Sequence, residues 1–483
     1  MADTSTVSER EYEGEAKVTC GVAIQQRSPG IDLPLINSTQ PLKEPSFVGS
    51  AATAAPQGPQ TTIQPAAALL HQTGGNQGFQ EYPGPLGQNI KATGYASPLY
   101  VAWWGLNGDL TVATAVEVNG TGALGICALD PTTLQRLGTC WTPEGLKENI
   151  NFAYSELVLE TSDLIMNTPA GSLGAFSGNS LGDAVQNSTT VGYIEPDDTI
   201  HRIHFDNEVI ENSIAVSNIT MFIQTGPAGV NDHANATGHV YAFTTGEPGD
   251  VSSIKLLWNQ TYDAGSAFKP GGFARGSGTS ISLLGNDYLA LVDHNDVQGS
   301  INVYDQKTGS LVCSVPLFSP GASAVDNGLL AAWDGKEYGL IALNDYNTTG
   351  VYQAGTAPID GAWNNITVQS PGFTRVDVEP QADGTAKCST RWNLDIRMKS
   401  VATISTKTGL VYGYLQDADL AVEGEYVWYA VAVDFATGEE RWRVRAGSGG
   451  NFNDNFQGSS LSPDGKFIQG VQGGVVVAED NSY

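Results

Sequence analysis

The densest run of chemically capable side chains is Asp293-His294-Asn295-Asp296, directly after the apolar run 288–292. Two carboxylates around an imidazole at a strand end can form a general acid–base group or supply metal ligands. Calcium is the ion such oxygen donors would take. The competing reading is an Asx-rich turn with a surface histidine. Upstream, Phe273-Ala-Arg275-Gly-Ser277-Gly-Thr279 sets an arginine among glycines and hydroxyls. There it would clamp a carboxylate or sugar acid in bidentate fashion, or fasten two structural units by pairing with an aspartate. Glu211-Asn212, Lys399-Ser400 and Asn451-Phe-Asn453-Asp454-Asn455 precede other apolar runs in the same way. The expected division of labour is proton transfer by His294 with Asp293 and Asp296. Arg275, Glu211, Asn212, Lys399, Asn453 and Asn455 would hold the substrate. No Gly-x-Ser-x-Gly elbow, His-Glu-x-x-His or Gly-x-x-x-x-Gly-Lys string occurs, so serine-elbow, zincin and phosphate-loop chemistry have no support.

These residues need elements to position them, and the elements repeat. From about residue 97 the chain is a succession of short apolar runs separated by turn residues, without a long helical period. One recurring unit opens on a small residue, runs apolar, turns at Asn, Asp or Gly and runs apolar again. Copies begin near 212, 279, 322, 400 and 458. The second is a hairpin with an Asp-x-x-Thr-Gly turn and a late aromatic, clearest in Asp434-Phe-Ala-Thr437-Gly438-Glu-Glu-Arg-Trp442. Asp305-Gln-Lys-Thr308-Gly309 repeats it, with Cys313 in the tryptophan place. Looser copies surround Asp130 and Trp141, Thr245-Gly246 and Trp258, and Asp377, Gly384 and Trp392. Aspartate accepts backbone N–H bonds in such a turn, glycine supplies a positive φ, and the aromatic fills space between sheets.

Alternation of the two hairpins makes four-stranded units, and units that cannot bury both faces alone stack radially. The expected fold is all-β: a single β-propeller over 97–483 with seven four-stranded blades, or six or eight. The last unit ends at Tyr483 with too few residues for four strands, so an N-terminal strand should close the ring. Residues 1–96, rich in Pro, Gly, Gln and Ala, read as an extended, partly irregular strap. Long polar segments at 167–192, 223–239, 292–301, 333–373 and 415–427 are expected to shape one mouth of the axial channel. Solvated insertions are the alternative.

The string at 432–442 resembles the tryptophan-docking repeat of the PQQ-type (quinoprotein-like) propellers, and the resemblance spans roughly 97–483. It implies the propeller scaffold. Redox members of that group bind pyrroloquinoline quinone beneath a disulfide of adjacent cysteines, with calcium beside the quinone; this chain has no adjacent cysteines.

Composition narrows the partners. The 483 residues carry 51 acidic and 23 basic side chains, a net charge of −28. A basic face for nucleic acid is missing, an anionic membrane surface is disfavoured, and no apolar run reaches the roughly 18 residues of a spanning helix. Eight Asn-x-Ser/Thr sites, at Asn37, Asn119, Asn187, Asn218, Asn235, Asn259, Asn347 and Asn365, favour a secreted, glycosylated monomer whose leader has been removed. Five cysteines leave one unpaired within a monomer. The best single pairing is Cys127 with Cys140 across a hairpin; Cys20, Cys313 and Cys388 stay open. The function expected is a secreted enzyme acting at the mouth on a small organic molecule or glycan, as a lyase, isomerase or hydrolase. A non-catalytic binding propeller is the alternative, and a quinone- or metal-dependent oxidoreductase the third.

Overall fold

The computed structural model describes residues 75–96, most of 201–244, and 254–350 and 357–481 without a break. It also describes 23–24, 40–52 apart from residue 46, and the backbone of short strands between 101 and 200.

Five sheets are drawn in full, each a four-stranded antiparallel meander, of consecutive strands in all but the last, here blades I to V. Blade I runs Ala215–Ser217, Thr220–Pro227, Thr237–Thr244 and Lys255–Asp263, with Glu208–Ile210 beside its second strand. Blade II is Ser282–Leu284, Tyr288–Val292, Ser300–Asp305 and Leu311–Pro316. Blade III is Leu330–Trp333, Tyr338–Leu343, Phe373–Pro380 and Ala386–Leu394. Blade IV is Thr403–Ser405, Leu410–Gln416, Val427–Asp434 and Glu440–Ser448. Blade V takes Ser459–Leu461, Phe467–Val471 and Gly474–Asp480 from the C-terminus. Its outer strand, Ile90–Ala96, comes from the N-terminus and pairs from Ile90↔Asp480 to Ala96↔Gly474. Two earlier sheets, at 101–129 and 167–204, are described by backbone pairing. This is the β-propeller, and the N-terminal strand completes its last blade. The exact number of blades rests on segments outside the described residues.

Apolar faces are buried between blades, not within one. Leu410, Tyr412, Trp428 and Trp442 of blade IV share a core with Leu461, Phe467 and Val476 of blade V. The other adjacent pairs from I to IV are joined in the same way.

The Asp-x-x-Thr-Gly turns set the spacing of the blades. Asp434 Oδ1 accepts the amides of Ala436 and Thr437, both at 3.0 Å, and Gly438 sits at φ 75°. Asp305 Oδ1 does the same for Lys307 and Thr308 ahead of Gly309. On the following outer strand the pairing slips by one residue just before Trp258, Cys313, Trp392 and Trp442. Such a bulge re-aims the next side chain, here toward the neighbouring blade. The indole of Trp258 donates to Gln306 O at 2.9 Å, Trp392 to Phe435 O at 2.9 Å, and Trp442 to Pro85 O at 3.0 Å. Each ring lies against the turn glycine of the next blade: a Cβ on Gly309, Gly438 or Gly87 would fall within 2.9 Å of it. Cys313, in the tryptophan place, forms a disulfide with Cys388 on the outer strand of blade III, a pairing the sequence left open. The expected Cys127–Cys140 pair lies outside the described residues.

The copy expected to begin at 322 is out of register. Val325-Asp-Asn-Gly328 does not turn a hairpin; it belongs to the segment leading into blade III, whose first strand starts at Leu330. Asp326 turns inward instead and accepts the amides of Phe273 and Ala274. The mouth loop of blade III accordingly spans 344–372 rather than 333–373, because Tyr338–Leu343 is the second strand.

Residues 75–80, all buried, run across the inner strands of four blades. Leu283 donates to Gly75 O, Ala331 to Gln77 O and Ile404 to Gly78 O. Gln80 receives Leu461 N at 2.5 Å and donates to Ser459 O at 3.3 Å. The strand ends of blades II to IV therefore find partners on the strap backbone, and that of blade V on the Gln80 side chain, which keeps buried amides and carbonyls satisfied.

Candidate functional site

One mouth is built from the segments leading into the inner strands (264–281, 317–329, 395–402 and 449–458) and the loops joining second to third strands (293–299, 344–372 and 417–426). The sequence candidates lie here, and the structure sorts them into two groups.

The first group holds backbone. Asp293 Oδ1 accepts the amides of Asn295 and Ser300, and its Oδ2 accepts Asn302 Nδ2 at 2.6 Å. Burial nevertheless raises its pKa against those bonds. Asp296 points away from His294: Lys269 Nζ binds it at 2.9 Å and Ser266 N caps it. Burial raises its pKa, but the bonds from Lys269 and Ser266 together with the lysine charge outweigh it and lower it to about 2. His294 is fully buried, not a surface residue, and its Nε2 lies 3.2 Å from both N and O of Val325, across to blade III. Its Nδ1 has no hydrogen-bond partner among the described residues. Beside it, Asp345 accepts Asp326 N at 2.8 Å and Asn327 Nδ2 at 3.1 Å. Burial raises both Asp326 and Asp345; the charge of Asp326 raises Asp345 further, while His294 opposes the rise in Asp326. Arg275 is fully buried and donates to Gly229 O at 3.2 Å and Ser266 O at 3.4 Å. Asn212 donates through Nδ2 to Gly278 O and accepts Ser280 Oγ at 3.0 Å. Glu211 lies outside the described residues.

The second group is different. Lys399, 1% exposed, leads into blade IV, and Asp454, 0% exposed, leads into blade V. Lys399 Nζ donates to Thr349 Oγ1 at 3.0 Å, from the blade III loop, and lies 4.7 Å from the ring centre of Phe456. Phe273, leading into blade II, meets the same ring edge-on at 4.9 Å. Segments of four blades therefore converge on one point. Burial lowers the Lys399 pKa to about 8, with Asp454 opposing. Burial raises Asp454 to about 6, opposed by Lys399 and by the amides of Phe456, Ser400 and Asn455. Asn453 orients this turn: its Nδ2 donates to Asn364 Oδ1, and its Oδ1 accepts Asn455 N, both at 2.9 Å. Asn455 and Phe456 have φ of 48° and 65°. Two successive non-glycine residues in the left-handed region cost on the order of 1–3 kcal/mol each, and such backbone collects at functional sites.

The structure thus brings Lys399, Asn453 and Asn455 together with Asp454, Phe456, Phe273 and Thr349. It ties Arg275 to Gly229 and Ser266, His294 to Val325 and Asp293 to its own loop, and it leaves Asp296 at the rim. Sequence reasoning passed over Asp454, although it stands between two chosen asparagines, and over Asp326, taken for a turn residue.

A quinone site of the PQQ type does not fit. The Cys313–Cys388 disulfide joins two outer strands, away from the mouth. No group of three or more His, Cys, Asp or Glu residues among the described residues could hold a metal ion.

The bulged hairpins, their Asp–Gly turns and the docked indoles define the chain as a β-propeller. Solved structures similar to it include quinohemoprotein alcohol dehydrogenase from Comamonas testosteroni, at 11% identity and TM-score 0.38, covering 89% of this chain and 82% of that one. A europium-containing methanol dehydrogenase matches at 11% and 0.35, covering 84% and 90%. Streptogramin B lyase matches at 9% and 0.34, covering 81% and 97%. No family model matches the chain, and no curated protein matches it in sequence.

Proposed function

We propose that this protein is an enzyme working at the propeller mouth by acid–base chemistry on a small organic molecule or a glycan, in the lyase, isomerase or hydrolase class. The observation that carries the proposal is the burial of both Lys399 and Asp454 where segments of four blades converge; that burial draws the lysine down to about 8 and the aspartate up to about 6. Groups poised near the working pH are the useful ones for proton transfer. Asp454, largely ionised at pH 7, takes the proton; Lys399, largely protonated, returns one or holds developing negative charge. This revises the expected roles, since His294, Asp293 and Asp296 are engaged in positioning the loops. We place the enzyme outside the cell, as a monomer, on its acidic charge and its glycan acceptor sequences.

The test is turnover of a panel of uronic-acid oligosaccharides and carboxylic acids that bear an abstractable α-proton. A bell-shaped rate profile with limbs near pH 6 and 8, abolished in both Lys399→Met and Asp454→Asn, supports the proposal. Turnover that survives both substitutions sinks it. The second reading, a binding propeller, is favoured by the closure of Lys399 under Thr349. It gives ligand binding without turnover.

A further inference from the structure

The outer strand of blade I differs from the other described outer edges. It is nine residues long and uncharged between Lys255 and Asp263, with Leu256 51% and Leu257 52% exposed. Unpaired strand edges of this kind invite pairing with another chain, and charged side chains, proline or bulges blunt them; on blade I a bulge before Trp258 relieves only the start of the strand. Among the described edges, blade III has Lys387 and Arg391 within its outer strand, and blade IV has Arg441, Arg443 and Arg445, whereas blade I carries only one basic residue, the lysine at its start. The outer strand of blade II is shorter, held by the Cys313–Cys388 disulfide and ended by Pro316. On blade I, Trp258 and Tyr262 face inward while Leu257, Asn259 and Thr261 face out. Asn259-Gln260-Thr261, an N-glycan acceptor sequence, therefore sits with its acceptor exposed in the middle of an edge whose central residues carry no charge. Two other described acceptors are committed to loop structure: Asn347 donates through Nδ2 to Val368 O at 2.7 Å, and Asn365 Oδ1 accepts from Thr367 N at 2.9 Å.

We infer that Asn259 carries an N-linked glycan that shields the outer edge of blade I. In the transfer, Nδ2 of Asn259 displaces the diphosphate of a lipid-linked oligosaccharide at C1 of its first sugar. The N–C bond forms as the C–O bond breaks, and the amide proton leaves with the diphosphate. The inference requires passage through a secretory route and is independent of the mouth chemistry.

The full chain should be secreted from a eukaryotic host behind a cleavable leader, then treated with an amide-cleaving glycosidase in ¹⁸O water and mapped by mass spectrometry. Labelled aspartate at 259 is expected; unlabelled asparagine there overturns the inference. Asn259→Gln and Thr261→Ala each remove the acceptor by a different change, so a folding defect in one leaves the other readable. Both should lose one glycan in mass and show a several-fold rise in self-association by light scattering. Unchanged self-association in both overturns the shielding role.

Discussion

The Nε1 hydrogen of Trp442 bonds the carbonyl of Pro85, a contact made across 357 residues of sequence. It repeats the docking of Trp392 on Phe435 O, but the turn that receives it is split between the chain ends. Asp480, near the C-terminus, accepts the amides of Leu86 at 2.7 Å and Gly87 at 2.9 Å, as Asp434 does within one hairpin. Asp480 and Gly87 thus rebuild the Asp–Gly turn from two distant segments and lock the ring.

The lock can be tested at Gly87, which has φ 89° and whose added Cβ would lie 2.6 Å from the Trp442 ring. Gly87→Ala should destabilise the fold by about 2–4 kcal/mol, and Trp442→Ala by about 3–5 kcal/mol. Gly424→Ala is the control, since it shares a positive φ of 82° but has nothing within 4 Å; about 1 kcal/mol is expected there. Denaturant midpoints of the three variants provide the measurement.

The division between what could and could not be read from sequence follows from this contact. The Asp434–Gly438 turn and Trp442 were legible because aspartate, glycine and indole occur within one hairpin, where local sterics and hydrogen bonding fix their order. The need for an N-terminal strand was legible from the short last unit. The partner of each indole was not, because it lies on the next blade. Lys399 with Asp454 and Cys313 with Cys388 were hidden for the same reason: each pair joins different blades, and neither spacing nor periodicity encodes it. Val325–Gly328 misled because its composition suits a hairpin turn, while its real role depends on buried contacts with Phe273 and Ala274.

The Cys313–Cys388 bridge replaces one docked indole and encloses a separation of 75 residues. Its removal in a Cys313→Ser, Cys388→Ser double variant should lower stability by about 2–5 kcal/mol. The linked peptides should appear in a non-reducing digest and vanish on reduction.

Buried carboxylates set the response to pH. Between about pH 3.8 and 6 the folded chain keeps a proton on Asp454 that the unfolded chain releases, so stability falls as pH rises through that window. Asp293, Asp326 and Asp345 shift in the same direction. Lys399 acts oppositely: between about pH 8 and 10.5 the unfolded chain holds the proton, and stability recovers as pH rises. The fold should therefore be most stable in mild acid, where protonation also relieves the net charge of −28. Asp454→Asn should remove on the order of 1–3 kcal/mol of the decline between pH 4 and 6, read from melting temperatures across that range.

Burial, and then the charge of Asp326, pushes the Asp345 carboxyl well above the ordinary carboxylate range, which favours its neutral form, so an amide is a close substitute. Asp345→Asn should change stability at pH 7 by less than about 1 kcal/mol. A loss of several kcal/mol would mean that the carboxylate is ionised in the folded protein.

The most direct measurement is an NMR titration of selectively labelled lysine side chains in the full protein. One lysine should titrate near pH 8, disappear in Lys399→Met, and move lower in Asp454→Asn as its opposing charge is lost. If every lysine titrates above pH 10, the mouth holds no poised proton-transfer pair.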